Sequence, residues 1–100
     1  MLNFSISELI HSDKAIQYGI NNMPDILACD NLLNLIWYLL QPIRNKFGAI
    51  KITSGFRCKR VNQLVNGSLT SNHLYGFAAD IIPLKVSFKQ VYDFITQNLD

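Results

Sequence analysis

The stretch from Ser71 to Ile82, SNHLYGFAADII, decides the fold and contains the most informative polar residues. Its second half, from Phe77 to Ile82, is apolar apart from Asp80 and is typical of a buried strand that Pro83 ends. A buried carboxylate needs a cation or several hydrogen-bond donors, because leaving it unpaired is very costly. His73 precedes Asp80 by seven positions, and Gly76 between them allows a tight turn. A loop histidine and a strand aspartate joined in this way can converge on one metal ion.

Two simpler interpretations of these residues stay open at this point. Asp80 is equally well explained as the partner of Arg57 in a buried ion pair, or as a carboxylate in a turn. His73, taken alone, fits a hydrogen-bonded surface histidine, because most polar side chains lie at the surface.

The rest of the chain supplies helices before two short strands. Ser5 and Glu8 form a capping box for a helix to Ile10, and Ser12 and Gly19 bound a second helix, 13–18. Apolar residues at helical spacing extend from Leu32 to Phe47, with a bend expected at Pro42. A strand at 50–53, a helix at 59–65, a strand at 77–82 and a Ser87-capped helix at 88–98 follow. This order predicts a single α+β domain over residues 1–100, with N-terminal helices packed on a small antiparallel sheet.

Composition excludes several classes of function. The net charge of +2 and the 16% of charged residues do not form a basic stripe, so no nucleic-acid partner is expected. The apolar run from Leu35 to Leu40 is too short to span a membrane. No signal sequence is recognised, and a cytoplasmic or phage-encoded product is expected. Cys29 and Cys58 are expected to be reduced and buried. Trp37 and Tyr38 are expected in core or rim packing, and Asp93 and Asp100 as solvent-facing charges.

Three motifs in matching order resemble one enzyme family. They are SGFR at 54–57, NQLVNGS at 62–68 and SNHLYGFAAD at 71–80, and similarity extends back to FSISELIHS at 4–12 and to LQPIR at 40–44. The pattern resembles the zinc D-alanyl-D-alanine carboxypeptidases, which include bacterial cell-wall peptidases and phage endolysins and share a fold with hedgehog signalling domains.

The resemblance implies a role for each matching residue. His73 and Asp80 would be two of three protein ligands to one Zn²⁺. Arg57 would act in catalysis and bind the substrate carboxylate or steady the developing oxyanion, because a guanidinium is always charged and offers two parallel donors. Ser71 would bind substrate at the rim of the site, although a simple loop hydroxyl is an equal alternative. His11 matches the family but is not expected to bind metal.

The third ligand of the family, a histidine in a W-x-H segment, has no counterpart after His73, and neither has the acidic general base before it. The expected domain is therefore C-terminally incomplete and lacks the last strands of the fold. The primary hypothesis is a zinc metallopeptidase that hydrolyses an amide bond in the stem peptide of peptidoglycan. The alternatives are a non-catalytic module that binds peptidoglycan or a partner, and a chain that folds poorly and associates through an open sheet edge. Oligomeric state is not predicted.

Overall fold

The computed structural model describes residues 3–98, and it is an α+β fold with a two-stranded antiparallel sheet. The helices and strands in chain order are α1 (Ile6–Ile10), α2 (Asp13–Tyr18), α3 (Ile26–Leu35), a π-helical turn (Ile36–Leu40), α4 (Gln41–Phe47), β1 (Ile50–Ser54), α5 (Lys59–Leu64), a 3₁₀-helix (Asn72–Tyr75), β2 (Asp80–Pro83) and α6 (Phe88–Asn98). Asp100, which the sequence predicts as a solvent-facing charge, lies outside the described residues.

The helix that runs from Ile26 to Phe47 is the centre of the core. Leu32, Ile36, Leu40 and Ile43 are each at most 2% exposed, and their spacing places them on one face of the helix. By length and composition alone this helix could cross a membrane. The apolar run from Leu35 to Leu40, on which the expectation of no membrane span is based, is only a part of it. Its buried face instead packs against the other elements of the domain.

A π-helical turn lies immediately before Pro42, the residue at which the sequence predicts a bend. Within this turn the Gln41 amide donates to the Ile36 carbonyl, five residues back. A proline ring clashes with the carbonyl four residues earlier, here that of Tyr38, and a π-helical turn widens the helix at that point. The proline is therefore accommodated without ending the helix.

The aromatic pair in the same turn is not core. Trp37 is 61% exposed and Tyr38 is 69% exposed, so the expectation of core or rim packing is wrong. The helical period explains this, because the two residues follow the buried Ile36 and point away from the stripe that it shares with Leu32 and Leu40.

Capping residues that the sequence predicts bound three helix starts and one helix end. The Ser5 and Ser12 hydroxyls accept hydrogen bonds from backbone amides three residues ahead, and Gly19 ends α2 in the left-handed conformation. In α6, which packs on α4 and β2, Ser87 accepts from the amide of Gln90. Val91 is buried in this helix, and Asp93 forms an ion pair with Lys89 at 2.8 Å.

The sheet pairs Ile50 with Pro83, Ile52 with Ile81, and Ser54 with Asp80. The register shifts between Ile52 and Ser54, so Thr53 is the extra residue of a bulge. Bulges bend a strand and redirect side chains, and this one lies at the end of the sheet that carries Asp80.

The second strand starts later than predicted. Phe77 is 57% exposed and lies outside β2, because the 3₁₀-helix and the left-handed Gly76 turn the chain just before it. The predicted strand at 77–82 is therefore wrong for its first three residues. Cys29 and Cys58 are free thiols, as expected, but half-buried rather than buried.

Candidate active site

His73 and Asp80 face each other at the bulged end of the sheet. The 3₁₀-helix carries His73, β2 begins at Asp80, and the distance from His73 Nε2 to Asp80 Oδ1 is 3.6 Å. The imidazole is 12% exposed, whereas the carboxylate is 61% exposed. The premise that Asp80 is buried is therefore wrong, because the strand begins at this residue and its side chain projects from the sheet end into solvent.

The ion pair between Asp80 and Arg57 that the sequence left open is not formed. Within residues 3–98 the side chain that meets the Asp80 carboxylate is His73, while the Thr53 hydroxyl donates to the Asp80 backbone carbonyl at 3.2 Å. The bulge at Thr53 thus fixes the backbone of Asp80 and leaves its carboxylate available to a cation.

The second ring nitrogen of His73 determines what the first can do. His73 Nδ1 lies 2.7 Å from the Gly55 carbonyl oxygen, and a carbonyl can only accept, so Nδ1 carries the hydrogen. In the neutral ring Nε2 then has a free lone pair directed toward Asp80. Metal-binding histidines are commonly oriented by such a bond from the other nitrogen to a backbone carbonyl.

The separation of the two groups fits a shared zinc ion. Zn–N and Zn–O bonds of about 2.0–2.2 Å at a tetrahedral angle place the two ligand atoms roughly 3.3–3.5 Å apart. The observed 3.6 Å is close to this value and longer than a good direct hydrogen bond. Among residues 3–98 no group of three or more His, Cys, Asp or Glu side chains is placed to hold a metal. The pair therefore supplies two ligands.

Ser71 joins this pair to Arg57. Its hydroxyl oxygen accepts from Arg57 Nη2 at 3.2 Å and from the His73 backbone amide at 3.2 Å. The Arg57 amide in turn donates to the His73 carbonyl at 3.0 Å. The side chain of Ser71 is thus more than a loop hydroxyl, because it orders the guanidinium and the histidine loop together.

The guanidinium retains donors for a ligand. Arg57 Nη2 bonds to Ser71, and Nε is buried without a hydrogen-bond partner in the part of the chain that the structure describes, so the donors that can meet a ligand are those of Nη1 and Nη2. A cavity of about 250 Å³ opens beside Arg57, and its walls include Lys14, Ser54 and Phe56. His11 also lines it and pairs with Asp13 at 3.0 Å, as a histidine that is not a metal ligand can do.

A larger groove of about 1030 Å³ shares Phe56 with this cavity, and none of Arg57, Ser71, His73 and Asp80 lines it. Its walls include Met23, Leu69 and Phe77. Of the four candidate residues, Arg57 lines the smaller cavity, whereas Ser71, His73 and Asp80 line neither of these two openings. We therefore locate the candidate site by its side chains, at the His73–Asp80 pair and at Arg57, which Ser71 joins to it.

Two further residues shape the site, and sequence reasoning missed both roles. The Asn22 carboxamide binds the backbone on each side of Arg57, and the Gly55 carbonyl orients His73. The sequence offers a loop asparagine before Met23 and Pro24, and a glycine after a strand, but neither pattern indicates a contact across the fold. Asn62 shapes the turn after α5, where its Nδ2 donates to the Ser68 carbonyl at 2.9 Å and its own carbonyl accepts from the Gly67 amide at 2.8 Å.

Comparison with known proteins places this geometry in context. The sequence model of a protein family described as Peptidase M15 matches residues 2–98. Searches of curated proteins and of solved structures gave no significant match. The family match covers all four residues of the candidate site.

Proposed function

Because the chain belongs to the M15 peptidases, the family of zinc D-Ala-D-Ala carboxypeptidase type, we propose that it is a zinc metallopeptidase that hydrolyses an amide bond in peptidoglycan. The observation that carries the proposal is the arrangement of His73 Nε2 and Asp80 Oδ1, 3.6 Å apart, with Nδ1 of the same ring bound to a carbonyl. The proposed substrate is the stem peptide. We further propose that the protein is cytoplasmic or phage-encoded and that it acts on the cell wall.

His73 and Asp80 would hold the metal, which in such a site polarises the scissile carbonyl and activates water. The Gly55 carbonyl keeps the imidazole in the tautomer that offers Nε2. Asp80 contributes negative charge at an exposed position, so it stabilises a cation without being paired by Arg57.

Arg57 would bind the substrate. Its guanidinium lies at the cavity, held from one side by Ser71, and its remaining donors can bind a terminal carboxylate or a developing oxyanion. The Ser71 oxygen accepts two hydrogen bonds, and its own hydrogen is available to a substrate carbonyl. These two residues would thus set the position of the scissile bond relative to His73 and Asp80.

Zinc binding tests the metal half of the proposal. We expect the protein, freed of metal and titrated with Zn²⁺ against a chromogenic chelator, to bind with an affinity that falls at least about tenfold in His73→Ala and in Asp80→Asn, because even outer partners of a ligand cost this much. His11→Ala is the matched control and should bind as the parent does. Equal binding by the parent and His73→Ala would refute the site.

Hydrolysis tests the peptidase half. Purified muropeptides incubated with the zinc-loaded protein should release D-Ala if a terminal residue is trimmed, or lose their cross-links if a cross-bridge is cut. Arg57→Lys should lower the rate, since a point charge cannot replace the two parallel donors.

The convergence of only two metal-ligand side chains within residues 3–98 favours a second candidate function, a non-catalytic module that binds peptidoglycan or a protein partner. Sedimentation with purified cell walls separates the two. Binding without release of D-Ala or of any cross-linked product would support the module, whereas turnover would exclude it.

A further inference from the structure

We propose that Asn22 is a positioning residue for Arg57, one that fixes the direction of the guanidinium without touching the substrate. The inference rests on the proposed function, in which Arg57 binds the substrate. It deepens that function by naming the side chain on which the orientation of Arg57 depends.

The Asn22 carboxamide binds the chain immediately before and immediately after Arg57. Its Nδ2 donates to the Phe56 carbonyl at 3.1 Å, and its Oδ1 accepts from the Cys58 amide at 2.8 Å. The same Nδ2 also donates to the Ile10 carbonyl, at the end of α1, at 2.8 Å. Asn22 is only 9% exposed, so these bonds are shielded from competing water.

The segment that Asn22 binds has no regular backbone hydrogen bonding of its own. Residues 55–58 lie between β1 and α5 and belong to neither. The Phe56 amide donates to the Leu9 carbonyl and the Arg57 amide to the His73 carbonyl, but these bonds fix one peptide each. Asn22 is the side chain that connects the peptides on both sides of Arg57, and therefore fixes the direction in which its side chain leaves the backbone.

Arg57 needs this support because its own side-chain contacts are few. The structure gives its guanidinium one hydrogen bond, from Nη2 to Ser71, and Nε is buried without a partner within residues 3–98. A long side chain held at one tip takes its orientation largely from its backbone. Small displacements of such a group are costly in catalysis, since a shift of about 1 Å can lower a rate about 100-fold.

The Nε–H of Arg57 gives a readout that does not depend on activity. Its NMR signal, assigned by its absence in Arg57→Lys, should be protected from solvent exchange in the parent protein because Nε is buried. In Asn22→Ala we expect this exchange to become at least about tenfold faster, as the segment around Arg57 loosens.

Two controls separate positioning from general loss of stability. Asn21→Ala removes the neighbouring asparagine, whose Oδ1 accepts from the Met23 amide, and should leave the Arg57 signal unchanged. Val91→Ala weakens the core in α6, remote in sequence from residues 55–58, and should also leave it unchanged while the protein stays folded. An Arg57 signal that is unaltered in Asn22→Ala, or altered as much in Val91→Ala, would overturn the inference.

The kinetic measurement connects the residue to the reaction. With equal zinc occupancy, kcat/KM of Asn22→Ala should be roughly 10- to 100-fold below that of the parent, and that of Asn21→Ala should be unchanged. If the parent does not hydrolyse peptidoglycan, the proposed function fails, and the exchange of the Arg57 Nε–H still decides the role of Asn22. An unchanged kcat/KM in an active Asn22→Ala protein would refute the positioning role of Asn22.

Discussion

At Gly55 the backbone of the site passes too close to α1 for any side chain. A Cβ atom there would overlap the carbonyl oxygen of Leu9, and Leu9 is fully buried. Neither backbone can move freely, because the Phe56 amide donates to that same oxygen at 2.8 Å. The absence of a side chain at Gly55 therefore lets its carbonyl reach His73.

We predict that Gly55→Ala lowers the free energy of unfolding by about 3 kcal/mol, the upper range for overpacking a rigid site. Gly19→Ala is the matched control. A Cβ at Gly19 meets no atom within 4 Å, although its φ of +64° carries a conformational cost of about 1 kcal/mol. Urea denaturation measures both, and a Gly55→Ala variant no less stable than Gly19→Ala would contradict the steric argument.

The sequence indicates the chemistry of the site residues better than their surroundings. The seven-residue spacing and the resemblance single out His73 and Asp80, and the structure places them 3.6 Å apart. The exposure of Asp80 could not be predicted, because it depends on where β2 begins. The hydrogen bonds of the Asn22 carboxamide could not be predicted either. Its partners lie at Ile10, Phe56 and Cys58, and their proximity is a property of the tertiary fold.

Among the helices, the long central one has a charged capping residue in front of its first turn. Asp25 caps α3, with Oδ1 accepting from the Ala28 amide at 2.8 Å, and its charge also lies favourably at the positive end of the helix dipole. We predict that Asp25→Ala costs about 1 kcal/mol of stability. Asp30→Ala, a change of the same type at an exposed position within α3, should change the midpoint of urea unfolding far less.

Local signals explain which elements the sequence predicts well. Hydroxyl caps at Ser5, Ser12 and Ser87 and the terminal Gly19 depend on neighbouring residues, so the helices they bound begin and end close to the predicted positions. The π-helical turn before Pro42 and the late start of β2 depend on packing and on the conformation of Gly76. For these two features, the presence of Pro42 and Gly76 indicates that the regular structure is interrupted, but it does not indicate which conformation replaces it.

At the scale of the whole molecule, the candidate site connects parts of the fold that are distant in sequence. The histidine loop is bonded to the segment after β1 through Gly55 and Arg57, and that segment is bonded to α1 through Leu9 and Asn22. His73 further faces Asp80 at the start of β2. An ion held between His73 and Asp80 would therefore strengthen contacts that close the sheet against the N-terminal helices.

Metal binding should consequently raise the melting temperature Tm of the protein. A ligand at 100 times its dissociation constant stabilises the native state by about 2.7 kcal/mol, which for a domain of this size raises Tm by roughly 10–20 °C. We predict such a rise on adding Zn²⁺ to metal-free protein, its reversal by a chelator, and its loss in His73→Ala, measured by circular dichroism on untagged protein. His11→Ala should keep the full rise, because its imidazole pairs with Asp13 and not with Asp80, which faces His73. A Zn²⁺-dependent rise that survives in His73→Ala would mean that the ion stabilises the fold from another position, and the pairing of His73 with Asp80 would then need an explanation without metal.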